Sequence, residues 1–219
     1  MNSEALARTE FLDYDDPGVA AFFDKATRAS GGDPKRMAVD LFYAVRDGLF
    51  YEIYNADFTR DKMKASAILK RRSGLCIHKS VVYAALLRRA GIPARLWITD
   101  VKNHLCSPQL ARTMGTQVFH YHVLVTLFLN GKWVKATPVF NARLCQLYGM
   151  TPLEFDGETD CVHHAFDETG RAYMEIMFDH GEYDDLPYDM ILCGLREKHA
   201  PLFLTDTKFK SGSLVADMA

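Results

Sequence analysis

A β-prone run from Val118 to Leu129, then Asn130-Gly131, then the return from Lys132 to Ala136, leaves this chain few ways to fold. Asn-Gly between two such runs is the strongest short hairpin signal, because a two-residue turn needs positive φ at its central positions. The turn also sets the register. Leu129 must face Lys132, and carried back along the strands His122 faces Val139, Leu124 faces Thr137 and His120 faces Asn141. Alternation gathers His120, His122, Leu124, Thr126 and Phe128 on one face with Trp133, Lys135, Thr137, Val139 and Asn141. Thr137 and Asn141 then become the diagonal neighbours of His122, within side-chain reach. Pro138 has no N–H to give a ladder, so pairing is expected to loosen there. Tyr121, Val123, Val125, Leu127 and Leu129 make the other face apolar too, which predicts a central strand covered on both sides.

The sequence before the hairpin reads as helix. Asp16-Pro17 and Asp33-Pro34 each set a capping residue ahead of a proline at the first helical position. Met37, Leu41, Val45 and Leu49 keep helical spacing after the second of these. A third helix is expected from about Asp61 to Arg72, with Met63, Ala67 and Leu69 inward. Ser73-Gly74 breaks it. A strongly apolar helix follows from about Cys76 to Arg89 and stops at Ala90-Gly91-Ile92-Pro93, where Gly91 suits the left-handed position after the last turn. Ala94 to Val101 reads as a strand and residues 102–117 as a polar loop. Residues 142–219 carry no pattern strong enough to place, apart from an acidic stretch from Glu182 to Asp189 that reads as a solvated loop.

Composition narrows the function. The chain has 219 residues, 48% apolar and 25% charged, with a net charge of −2. That is an ordinary globular profile without a basic footprint for nucleic acid. No apolar run approaches the roughly 20 residues of a membrane span, and Met1 to Glu10 lacks the apolar stretch of a signal peptide. A cytoplasmic protein is expected. The five cysteines, Cys76, Cys106, Cys145, Cys161 and Cys193, are dispersed and odd in number, which suggests neither a disulfide framework nor a zinc ribbon.

One thiol stands apart. Cys76 lies where an apolar helix begins, and a helix N-terminus offers free N–H groups and a positive dipole end that favour thiolate. A thiolate that forms an acyl intermediate needs a proton acceptor and donor, which a histidine on a nearby strand can supply. His122 is the candidate. Read only from spacing, a buried small Cys and a satisfied core His remain the simpler account.

Two stretches add to this. Ala67-Ile-Leu-Lys-Arg-Arg-Ser-Gly-Leu-Cys76, running on through Ile-His-Lys-Ser to Gly91-Ile-Pro-Ala-Arg95, resembles the nucleophile segment of the transglutaminase-like superfamily. The strand–Asn-Gly–strand unit, with His122 eleven residues before Trp133 and ending Lys-Trp-Val-Lys-Ala-Thr137-Pro, is similar to that superfamily's histidine segment. The resemblance spans about residues 61–141 and implies a papain-like α+β fold. In it a helical N-terminal part (1–60) and the nucleophile helix pack on an antiparallel sheet, with 142–219 extending the same single domain. It implies acyl transfer through a thioester on Cys76, with His122 as general base and acid and the Cys76 N–H in an oxyanion hole. No calcium-binding loop is evident in the residues, so neither a cofactor nor a metal is expected. The substrate would be a peptide, a protein or a small acyl compound, not nucleic acid or membrane.

The chain departs from the family pattern at one position. Thr137 stands where the superfamily has Asp, and a hydroxyl can fix the imidazole tautomer but cannot stabilise imidazolium as a carboxylate does. Asn141 is the alternative orienter. Three functions follow: a thiol hydrolase or transamidating enzyme, a degenerate binding module that keeps the fold, or an acyltransferase or cyclase of small-molecule biosynthesis. His78, about 200° around the helix from Cys76, is expected to point away from it. His120 could line the cleft or replace His122 if the register slips. Cys161, His163, His164 and Asp167 match no established metal spacing. Cys106 is expected in an exposed loop, and Arg95 reads as structural.

Overall fold

The computed structural model describes residues 3–54, 56–104, 115–162, 174–200 and Leu214. Helices α1 (Pro17–Ala26) and α2 (Pro34–Gly48) start where the Asp-Pro pairs place them. Asp16 accepts from the Gly18 N–H at 2.7 Å and Asp33 from the Arg36 N–H at 3.0 Å. After α2 the short strand β1 (Phe50–Tyr51) pairs in parallel with β2 (Ser73–Gly74). Between them the single helix expected over Asp61–Arg72 is two pieces, a 3-10 turn at Arg60–Met63 and α3 (Ala65–Arg71). The break is at Lys64, which is extended because the Ala65 N–H bonds to the Phe11 carbonyl at 2.9 Å instead of to its own turn.

Helix α4 (Cys76–Arg89) has the predicted bounds, and every residue in it except Arg89 is buried. A helix enclosed on all sides explains why its sequence is apolar with little periodicity. It lies between α1, α2 and α3 on one side and the sheet on the other. Gly91 takes φ +75° after it.

The sheet runs β5 (Lys132–Ala136), β4 (Val118–Leu129), β3 (Ala94–Asn103), β6 (Met174–Tyr183), all antiparallel. The hairpin register is as the Asn-Gly turn requires, from Leu129 facing Lys132 to Val125 facing Ala136. There the ladder stops, one residue earlier than Pro138 alone would dictate. Thr137 gives its N–H to the Cys161 carbonyl at 3.0 Å, and Cys161 forms a parallel bridge with Ala136. The facing pairs Leu124–Thr137, His122–Val139 and His120–Asn141 are therefore not formed. The region without a sequence pattern supplies α5 (Ala142–Leu147), β6 and α6 (Tyr188–Lys198). The supposed acidic loop belongs partly to β6 and partly to α6, and Asp184 and Glu182 flank Arg95 at 3.1 and 3.6 Å. Among the described residues no helix is long and apolar enough to cross a membrane. Cys106 lies outside the described residues.

Candidate active site

Cys76 is the first residue of α4, and the turn that presents it is braced from within. The His78 Nδ1 accepts from the Leu75 N–H at 3.1 Å, while Nε2 meets the Asp57 carbonyl at 3.2 Å. This is the reverse half of a capping box, with histidine in the place usually held by Glu or Gln and no acceptor on the Leu75 side chain. His78 therefore points back under the Cys turn rather than idly away from it. Full burial keeps its imidazole neutral, with a pKa pushed down to about 3. Gly74 makes room for the ring, since a Cβ there would stand 2.6 Å from the His78 Cβ.

The N-terminal half of α4 lies against β4 where β5 has left it. The Val123 carbonyl accepts the Ser80 hydroxyl at 2.7 Å. Burial of the thiol, 8% exposed as a residue, pushes its pKa up to about 11 against the opposing N–H groups of Val123, Ile77 and Cys76. His122 is 3% exposed, and burial alone lowers its pKa to about 4. In this closed arrangement both groups are neutral.

The orienting partners differ from expectation. The His122 Nδ1 and the Thr137 hydroxyl are both buried and without a hydrogen-bond partner among the described residues, so the bond expected between them is not made. Asn141 is no orienter at all. Its Oδ1 accepts from the Tyr51 N–H at 2.7 Å, and its Nδ2 donates to the Leu49 carbonyl at 2.7 Å and to the Arg46 carbonyl. The same two carbonyls receive the buried Lys79 ammonium, each at 2.8 Å. Asn141 and Lys79 close the end of α2. No local pattern announces this, because the partners lie in another part of the chain.

His120 does not share the surroundings of His122. Between Phe119, which faces Val101, and His122, which faces Thr99, β4 carries one residue more than β3, and Tyr121 takes φ +55° at the bulge. The kink turns His120 onto Asp100 (Nδ1 to Oδ2, 2.8 Å), whose other oxygen meets the His180 Nε2 at 2.8 Å and the Tyr121 N–H at 3.0 Å. Burial raises the Asp100 pKa, but these three donors outweigh it and hold the carboxyl below its ordinary range. The Tyr121 ring fits over α6 at Gly194, where a Cβ would come within 2.0 Å of it. Cys161 is held by its backbone on both sides and its sulfur meets the Glu154 carbonyl at 3.4 Å. His163, His164 and Asp167 lie outside the described residues, and among the described residues no three His, Cys, Asp or Glu side chains form a metal-sized cluster.

A thiol at the start of a buried helix, set against a histidine-bearing strand of an antiparallel sheet, is the arrangement of the papain-like cysteine fold. Within that class the particular family is defined by sequence. Residues 22–138 match the core model of the transglutaminase-like superfamily, and the chain belongs to it. A search of curated proteins finds no significant match. Among solved structures, a candidate cysteine protease from Cytophaga hutchinsonii aligns with TM-score 0.47 and 14% identity, over 61% of this chain and 40% of that one. The chain thus spans well under half the length of that neighbour.

Proposed function

We propose that this protein is a thiol acyl-transfer enzyme in which Cys76 is the nucleophile and His122 its proton acceptor and donor. In the proposed cycle the Cys76 thiol gives its proton to His122 as sulfur adds to an amide, ester or thioester carbonyl. The backbone N–H of Cys76 faces the developing oxyanion, and the leaving group departs with the proton from His122. Water or an amine then takes the acyl group off sulfur, returning its proton through His122. The observation that carries this reading is the place of Cys76, first residue of a buried helix that packs on β4, the strand bearing His122. Thr137 is proposed as the uncharged partner of the imidazole, a bond that would have to form in the cycle because the resting structure does not make it.

The test is an activated ester, p-nitrophenyl acetate, followed by intact mass. An acyl adduct on Cys76 that is absent from Cys76→Ala, and that turns over more slowly in His122→Ala, supports the reading. Alkylation of Cys76 with the pH dependence of an ordinary thiol near 8.5, unchanged by His122→Ala, overturns it. A second reading, a binding module that keeps the fold without chemistry, is favoured by the two unpaired atoms at His122 and Thr137. It predicts no adduct and no effect of restoring a carboxylate at position 137.

A further inference from the structure

Leu214 belongs to the tail of the chain, yet it is 2% exposed and held as a bound residue would be. Its N–H donates to the Glu52 carboxylate (3.2 and 3.4 Å to the two oxygens), and its carbonyl accepts from the Tyr148 hydroxyl at 3.2 Å. With Tyr51, Phe119, Phe140, Leu144 and Tyr148 it lines a small pocket. The space left there is about 20 Å³, room for about one water. Leu214 lies in a turn, with main-chain bonds at both its N–H and its carbonyl, the kind of contact by which a bound peptide residue is also held.

The place of the pocket gives the contact its meaning. Tyr51 pairs with Gly74, and the Glu52 N–H bonds to the Gly74 carbonyl at 3.2 Å, so one wall is the segment that leads into Cys76. Phe119 lies on β4 just ahead of His122, so the opposite wall leads into the histidine. Both segments thus lie a few residues along the chain from the proposed catalytic pair. We infer that this pocket is a subsite for a leucine-sized apolar side chain of a peptide substrate, and that Leu214 fills it in cis. The inference rests on the acyl-transfer reading of Cys76 for its catalytic meaning. It adds a substrate class, peptides with an aliphatic residue beside the reacting bond, and a self-blocking contact that substrate must displace.

The experiment uses the full chain with Leu214→Asp, which puts a carboxylate beside Glu52 in place of the apolar plug. Binding of N-acetyl-leucine amide and of N-acetylglycine amide is titrated by NMR, in Cys76→Ala as well as in the cysteine-containing protein. Labelling of Cys76 by iodoacetamide is timed in the latter. The leucine amide should bind at least tenfold more tightly to Leu214→Asp than to the unsubstituted chain, and the glycine amide should not. Cys76 should label at least tenfold faster. Equal binding of both amides, or no gain in either readout by a folded variant, overturns the inference and makes Leu214 a core residue. Should Leu214→Asp fail to fold, Tyr148→Phe removes the bond to the Leu214 carbonyl and should raise Cys76 labelling about threefold; an unchanged rate overturns the inference. Leucine amide binding in Cys76→Ala with no acyl adduct in the unsubstituted chain would leave the subsite standing and the acyl-transfer reading fallen. An adduct without leucine binding would do the reverse.

Discussion

Gly74→Ala tests the brace beneath Cys76 with a single methyl group. An added Cβ would stand 2.6, 2.7 and 3.0 Å from the His78 Cβ, Cγ and Nδ1. The ring cannot give way freely, because it is fully buried and bonded to the Leu75 N–H and the Asp57 carbonyl. Overpacking of this kind costs about 1–3 kcal/mol. Displacing the ring also leaves the Leu75 N–H unpaired, at about 1–3 kcal/mol. The substitution should therefore destabilise by roughly 2–6 kcal/mol, a fall in Tm of about 5–20 °C for a chain of this size. Urea and thermal denaturation measure it. The double variant Gly74→Ala/His78→Ala has no ring to collide with, so it should be more stable than the sum of the two single changes predicts, by at least about 1 kcal/mol. If Gly74→Ala falls within about 0.5 kcal/mol of the unsubstituted protein, or the two changes simply add, the brace does not exist as described.

Acid should weaken the fold through two histidines. The folded pKa values of His78 and His122, about 3 and about 4, lie below the unfolded value of 6.5. The unfolded chain takes up protons first, so this stability is present above pH 6.5 and lost as pH falls through the window down to those values, by up to about 1.4 kcal/mol per unit and group. Urea midpoints from pH 7.5 to 4.5 should decline, less steeply in His122→Asn; a flat profile refutes the neutral burial of both rings. On the proposed pairing of Thr137 with His122, Thr137→Asp brings a carboxylate to the imidazole, and an opposite charge within about 4–6 Å moves a pKa by about 1–3 units. Iodoacetamide labelling of Cys76 at pH 7 should rise at least tenfold, and an unchanged rate would favour the binding module. Gly194→Ala should cost more than 2 kcal/mol by urea denaturation despite alanine's better helix propensity, because the Tyr121 ring occupies the space of the methyl group.

What could be read from the residues was what neighbours in the chain decide. The Asp-Pro caps, the Asn-Gly register and the bounds of α4 depend on contacts a few residues apart, and each lies where the sequence places it. Errors came from partners distant in the chain. Lys64 breaks a helix because Ala65 is taken by Phe11, and the hairpin ends at Ala136 because Cys161 claims the Thr137 N–H. Asn141 looked like a neighbour of His122 only while the ladder was extrapolated past its true end. His78 could have been found, since Leu75 to His78 has the spacing of a capping box, but histidine is not the usual residue there. Strand β6 was hidden because it is an edge strand with Ile176, Met177 and Phe178 exposed, so apolar residues do not mark its buried face.

The end of α2 is held twice over, and substitution separates the two holders. Lys79 and the Asn141 amide both donate to the Arg46 and Leu49 carbonyls. Burial drives the Lys79 pKa well below its ordinary value, so its ammonium gains little beyond what the carbonyls return. Lys79→Met keeps the volume, removes a poorly solvated charge and leaves both carbonyls with their Asn141 donor. It should change stability by less than about 1.5 kcal/mol in either direction. Asn141→Ala is different in kind. It leaves the Tyr51 N–H without its acceptor at the strand that pairs with Gly74, and it opens a cavity beside α5. One buried orphan and one small cavity should cost about 2–4 kcal/mol, and the disturbance should pass through β1 and β2 to the Cys76 turn, seen as altered labelling of the thiol. Were Lys79→Met the more damaging of the two, Lys79 would be the principal clamp on α2, and Asn141 would return to being a residue without an assigned task.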